Sequence, residues 1–131
     1  MTPPPTALLA TDLDGTLLRS DGTISPTVRT ALAKAREHGV EVVFVTGRPP
    51  MFLPPVLAET GHQGMVLAAN GAVEFDAATG RVLTTRTFSD DAVLDILRAL
   101  SQVPGAADVR VMMHHPHQPE HPGIRLMGDF R

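Results

Sequence analysis

The chain has 131 residues, of which 43% are hydrophobic and 19% charged, with a formal net charge of −3. That length and apolar fraction fit one domain with a real core, which excludes wholesale disorder. The absence of cysteine excludes a disulfide scaffold, a thiolate metal site and a cysteine nucleophile, and the slightly acidic balance argues against a nucleic-acid partner.

No apolar run approaches the ~20 residues of a membrane span, and Met1-Thr2-Pro3-Pro4-Pro5 lacks the positive region and apolar stretch of a signal peptide, so no targeting signal is expected. No membrane partner is expected, and the cytoplasm is the default compartment. After the prolines, Ala7 to Thr11 is a short apolar run that reads as a buried strand. It ends at Asp12-Leu13-Asp14-Gly15-Thr16, and Ser20-Asp21-Gly22 is turn-prone. Ser25 is placed to cap a helix with Pro26 at its first position. Val28, Ala31, Leu32 and Ala35 give that helix an apolar stripe, and Gly39 is its expected stop.

Val40 to Thr46 is β-branched and nearly continuous, as suits a strand buried on both faces. Gly47-Arg48-Pro49-Pro50 breaks it. A second helix is expected from about Pro54-Pro55 to just before Gly61, and a third strand from Met65 to Ala69, stopped by Asn70-Gly71. Ala72 to Phe75 and Arg81 to Phe88 read as a hairpin. Ser89 caps a helix whose apolar face is Val93, Leu94, Leu97 and Leu100, and Asp108 to Met113 suits one more strand. From His114 onward proline and histidine dominate and periodicity disappears, so an irregular tail is expected. His38 and His62 fall near helix ends and read as surface residues.

Alternating strands and helices imply an α/β fold with a parallel sheet and right-handed crossovers. Ligands bind such sheets outside the carboxyl ends of the strands. The informative residues are therefore Asp12 and Asp14, Thr46 to Arg48, and Asn70-Gly71. Two carboxylates two residues apart raise each other's pKa unless a cation neutralises them. A hard cation such as Mg2+ fits, because it takes a few carboxylates plus phosphate oxygens. One carboxylate can serve as a nucleophile and its neighbour as acid and base. Gly15 would let the chain turn away, and Thr16 would orient a carboxylate. Thr46-Gly47 offers a hydroxyl and backbone N–H groups to a phosphate. Taken singly, each cluster also reads as an ordinary turn or strand end. Their convergence on one crevice carries the functional reading.

The stretch LLATDLDGTLL resembles the first motif of the haloacid dehalogenase (HAD) superfamily, DxDGT. VVFVTGRP resembles the second motif of its Cof-type branch, the C2-capped class IIB, and MVLAANGA the strand and Asn-Gly that follow. The resemblance spans roughly residues 6–103. It implies a Rossmann-like, three-layer parallel core, here incomplete, with the start of an α+β cap. The implied division is 1–75 for the core, 76–113 for the start of the cap and 114–131 for the tail. It implies Mg2+-dependent hydrolysis of a small phosphorylated metabolite through an aspartyl-phosphate. Asp12 matches the nucleophile and, through its carboxylate, a metal ligand. The Asp14 side chain matches the general acid/base, and its main-chain carbonyl a second metal ligand. Thr46 and Gly47 match the phosphate-binding hydroxyl and amide. Arg48 and Asn70 match the lining of the substrate pocket.

The family also has a third, basic motif and a fourth, acidic one. The one lysine, Lys34, precedes the second motif and reads as a surface residue, and Gly128-Asp129 lacks the context of the fourth. The chain is thus expected to stop inside the cap, leaving one side of the first strand unpaired and open to self-association. The alternative is an inactive fragment or pseudophosphatase with residual metal and phosphate binding. His114, His115, His117 and His121 could be read as a transition-metal site, but the interspersed prolines favour a polar tail.

Overall fold

The computed structural model describes residues 7–104, 111–113 and 125–127. One compact unit ends at Thr85 and a second begins at Arg86. The boundary expected at residue 75 falls inside a strand of the first unit, because the whole hairpin joins the sheet.

The first unit runs β1 (Leu8–Asp12), α1 (Pro26–Glu37), β2 (Glu41–Val45), α2 (Pro54–Thr60), β3 (Met65–Ala68), β4 (Val73–Asp76) and β5 (Arg81–Thr85). The five strands form one sheet in the order β1-β2-β3-β4-β5. β1, β2 and β3 are parallel, and β4 and β5 extend the sheet antiparallel. In the β1–β2 register Asp12 lies opposite Val45, so both strands end together.

The helices start and stop for local reasons. Ser25 accepts a hydrogen bond from the Val28 amide, and Pro26 opens α1 where its missing N–H costs nothing. Gly39, at φ +75°, closes it in the left-handed conformation, and the Val40 amide reaches back to the Ala35 carbonyl. Pro50 begins a 3-10 turn, Pro50–Phe52, and Pro54 and Pro55 occupy the first turn of α2. The dense prolines therefore sit at starts rather than inside a helix.

Leu13, Leu32, Phe44, Leu53, Val66 and Phe75 are among the residues of one buried cluster. β2 carries its centre, with Val42, Val43 and Phe44 all buried. β1 is a strand, as expected, but not a buried one: Leu8 is 61% exposed and Leu9 42%. It is the outermost strand, with no described neighbour on its far side. His62 departs from expectation the other way. It is 5% exposed, its ring stacks on Phe44 with centroids 3.8 Å apart, and Nε2 lies 3.1 Å from the Met65 carbonyl.

The second unit contains α3 (Asp90–Ser101), capped by Ser89, then β6 (Val111–Met113) and β7 (Arg125–Met127), which pair antiparallel. On α3, Leu97 is buried and Val93 and Leu100 are half-buried, whereas Leu94 is exposed. β7 corrects the expectation of a wholly irregular tail, for Arg125 to Met127 find strand partners in β6. Its partner β6 occupies the end of the strand expected from Asp108. His114, His115, His117, His121 and Gly128-Asp129 lie outside the described residues. Among the described residues, no helix is long and apolar enough to cross a membrane.

Candidate active site

The residues singled out by sequence lie where β1, β2 and β3 end. Asp12 is the last residue of β1 and is exposed. Its Oδ1 accepts a 2.7 Å hydrogen bond from the Leu13 amide. Leu13 is fully buried, and its carbonyl receives the amides of Leu17 and Leu18 at 3.0 and 2.8 Å. This tight turn anchors the loop in the core and leaves Asp14 outside. It needs Gly15 at φ +75°, where a side chain would be strained. Among the described residues, no hydrogen bond joins the Thr16 hydroxyl to either carboxylate, so the orienting role expected of it is not seen.

The β2 end is held more deeply. Thr46 is 3% exposed, and its amide donates to the Leu67 carbonyl at 2.9 Å. Its hydroxyl accepts the Arg48 amide at 3.1 Å, which closes a small turn around Gly47. Arg48 then reaches across to the β1 loop. Its Nε and Nη2 donate to Asp14 Oδ2 and Oδ1 at 2.8 and 2.6 Å, a bidentate ion pair. These hydrogen bonds hold the Asp14 carboxyl below the usual carboxylate range, against the opposing effect of burial and with a smaller Coulombic contribution from Arg48. The same pairing raises the Arg48 pKa.

The loop after β3 closes over Gly47. The Ala69 amide donates to the Arg48 carbonyl at 2.9 Å, and the Asn70 amide to the Thr46 carbonyl at 3.0 Å. Both residues are left-handed, with φ of 50° and 57°. Few non-glycine residues adopt that conformation, and asparagine tolerates it better than alanine. Asn70 Oδ1 would stand 3.1 Å from a Cβ at position 47. A side chain at position 47 would therefore crowd the Asn70 side chain, which would have to give by a few tenths of an ångström.

The structure thus joins Asp14 to Arg48, Thr46 and Gly47 to Asn70, and Arg48 to Ala69. Asp12 stands beside them at the end of the neighbouring strand. Sequence reasoning missed the Asp14–Arg48 pair, although acidic and basic residues at adjacent strand ends were its available signal. Lys34, in the last turn of α1, is exposed. Among the described residues, no group of three or more His, Asp or Glu is arranged to hold a metal ion. Two exposed carboxylates at adjacent strand ends still fit a cation that keeps most of its water and shares substrate oxygens, as Mg2+ does. Asp12, with one oxygen committed to Leu13, and the main chain at Asp14 are the groups that would hold it.

Comparison with known proteins covers this whole constellation. A family profile described as haloacid dehalogenase-like hydrolase matches residues 9–115. Phosphatase YwpJ of Bacillus subtilis is 39% identical over 90 residues, 69% of this chain and 31% of that protein. The pyridoxal phosphate phosphatase YbhA of Escherichia coli is 31% identical over 97 residues, 74% of this chain and 36% of its own length. A solved haloacid dehalogenase-like hydrolase from B. subtilis superposes with a TM-score of 0.64 at 38% identity, covering 72% of this chain and 33% of that one. The chain therefore spans about a third of the length of these relatives. With every strand end described above inside the matched region, the chain belongs to the haloacid dehalogenase-like hydrolases.

Proposed function

We propose that this chain provides the nucleophile, the acid/base and the phosphate-binding turn of a Mg2+-dependent phosphatase for small phosphorylated metabolites. The observation that supports it is the convergence of Asp12, Asp14, Thr46, Gly47, Arg48 and Asn70 at one end of three adjacent strands. The related phosphatases lend it weight.

In this reading an Asp12 carboxylate oxygen attacks phosphorus, and the bond from phosphorus to the ester oxygen breaks. Asp14, having first taken up a proton from solvent, gives it to the departing oxygen. It then takes a proton from the water that attacks the aspartyl-phosphate, which frees inorganic phosphate and restores Asp12. The Thr46 hydroxyl and Gly47 amide hold the phosphoryl oxygens, while Arg48 and Asn70 face the substrate. Mg2+, held by the Asp12 carboxylate and the Asp14 carbonyl, would neutralise charge on the transferring group.

A second reading is a binding fragment without turnover. It is favoured by one observation: Lys34, the sole lysine, lies on α1 and not at the strand ends. Phosphate release from a generic aryl phosphate, with Mg2+ and with chelator, separates the two. Release that depends on Mg2+ and vanishes in Asp12→Asn supports the phosphatase. A folded protein no faster than Asp12→Asn supports the binding fragment. Among the described residues the outer side of β1 has no strand partner, which supports self-association of this chain.

A further inference from the structure

The Asp14–Arg48 pair sets two roles of the site against each other. Both oxygens of Asp14 are taken by the guanidinium, at 2.6 and 2.8 Å. Arg48 is thus the cationic side chain that bridges the β1 and β2 loop ends. Its backbone is fixed on both sides, the amide on the Thr46 hydroxyl and the carbonyl under the Ala69 amide. Among the described residues its side chain is hydrogen-bonded to Asp14 alone. The pair is open to solvent, with side-chain exposures of 31% for Arg48 and 54% for Asp14. An exposed ion pair is cheap to break. A guanidinium fork matches phosphate as well as it matches carboxylate, and a phosphate dianion carries more charge.

We propose that the pair is an exchangeable lock. In the empty site Arg48 occupies Asp14. When a phosphate dianion settles on the Thr46–Gly47 turn, the fork transfers to its oxygens and Asp14 is released toward the reacting group. Occupation of the anion site and readiness of the acid/base thus become one event. This inference rests on the phosphatase reading above, since it takes the Thr46–Gly47 turn as the anion site.

The test is equilibrium binding of inorganic phosphate to the full 131-residue chain in a chelating buffer, with no turnover measured. Asp14→Asn and Arg48→Gln are made singly and together, with thermal melts to establish folding. If Arg48 must leave Asp14 to reach phosphate, Asp14→Asn tightens phosphate about fivefold, the scale of a well-formed surface pair. In the Arg48→Gln background the same change has almost no effect. Arg48→Lys, which keeps the charge but not the fork, falls between. The Arg48 Nε–H resonance should move on phosphate addition in wild type toward its position in phosphate-bound Asp14→Asn. Equal tightening in both backgrounds would mean simple charge repulsion and overturn the lock. So would an Asp14→Asn protein that binds no more tightly than wild type. Absence of phosphate binding in every folded variant would instead remove the anion site, and the phosphatase reading with it.

Discussion

His62 and Gly64 show how closely the sheet packs near β3. Burial is the main cause of the lowered His62 pKa; the hydrogen bond to Met65 opposes it and Arg36 adds to it. In the unfolded chain a histidine ionises near pH 6.5. On acidification the unfolded state therefore takes up the proton first. Stability from the neutral ring is complete above about pH 6.5 and is lost as pH falls toward the lower folded value. Urea midpoints should accordingly fall between pH 7.5 and 5, and His62→Gln should flatten that slope. Gly64 has no room to spare: a Cβ there would come within 2.8 Å of the Val42 carbonyl and 2.9 Å of His62 Cε1. Gly64→Ala should cost about 1–3 kcal/mol, read by thermal melting. Asp12, Asp14, Thr46 and Asn70 were legible in the sequence because each directly follows an apolar strand. The burial of His62 was not, because it is made by Phe44, on a strand the sequence separates from it by α2.

At the scale of elements, the starts were legible because they are local. Ser25 and Pro26 specify the start of α1 by hydrogen bonding and fixed φ alone. Ser25→Ala should cost about 1 kcal/mol in the urea transition, with the site unaltered. The 3-10 turn Ala69–Gly71 is a different case. Two successive left-handed residues there serve the crossing onto Gly47, and Ala69 pays for it in backbone strain. Ala69→Gly should raise stability by about 1 kcal/mol, a gain visible in melting temperature. Nothing in the local sequence announces that Ala69 is left-handed, because the requirement comes from Arg48 on another loop. β7 was missed for a related reason, since three residues hold too little pattern to stand out from their neighbours.

At the scale of the molecule, alternation of strand and helix made the parallel part of the sheet legible, while the attachment of the hairpin to β3 was not, because it depends on pairing across the sheet. Among the described residues the sheet ends on one side at β1, where Leu8 and Leu9 are exposed. Such an edge invites pairing with another chain. Leu9→Lys should therefore reduce concentration-dependent light scattering of this chain while leaving its circular dichroism unchanged. The same edge bears on the lifetime of the site. Among the described residues Asp12 ends an edge strand, so its backbone should exchange hydrogen for deuterium sooner than that of the central strand β2. The candidate nucleophile thus rides on an edge of the sheet, which opens more readily than its centre. Whatever binds along that edge would lengthen the time Asp12 spends in place without touching it.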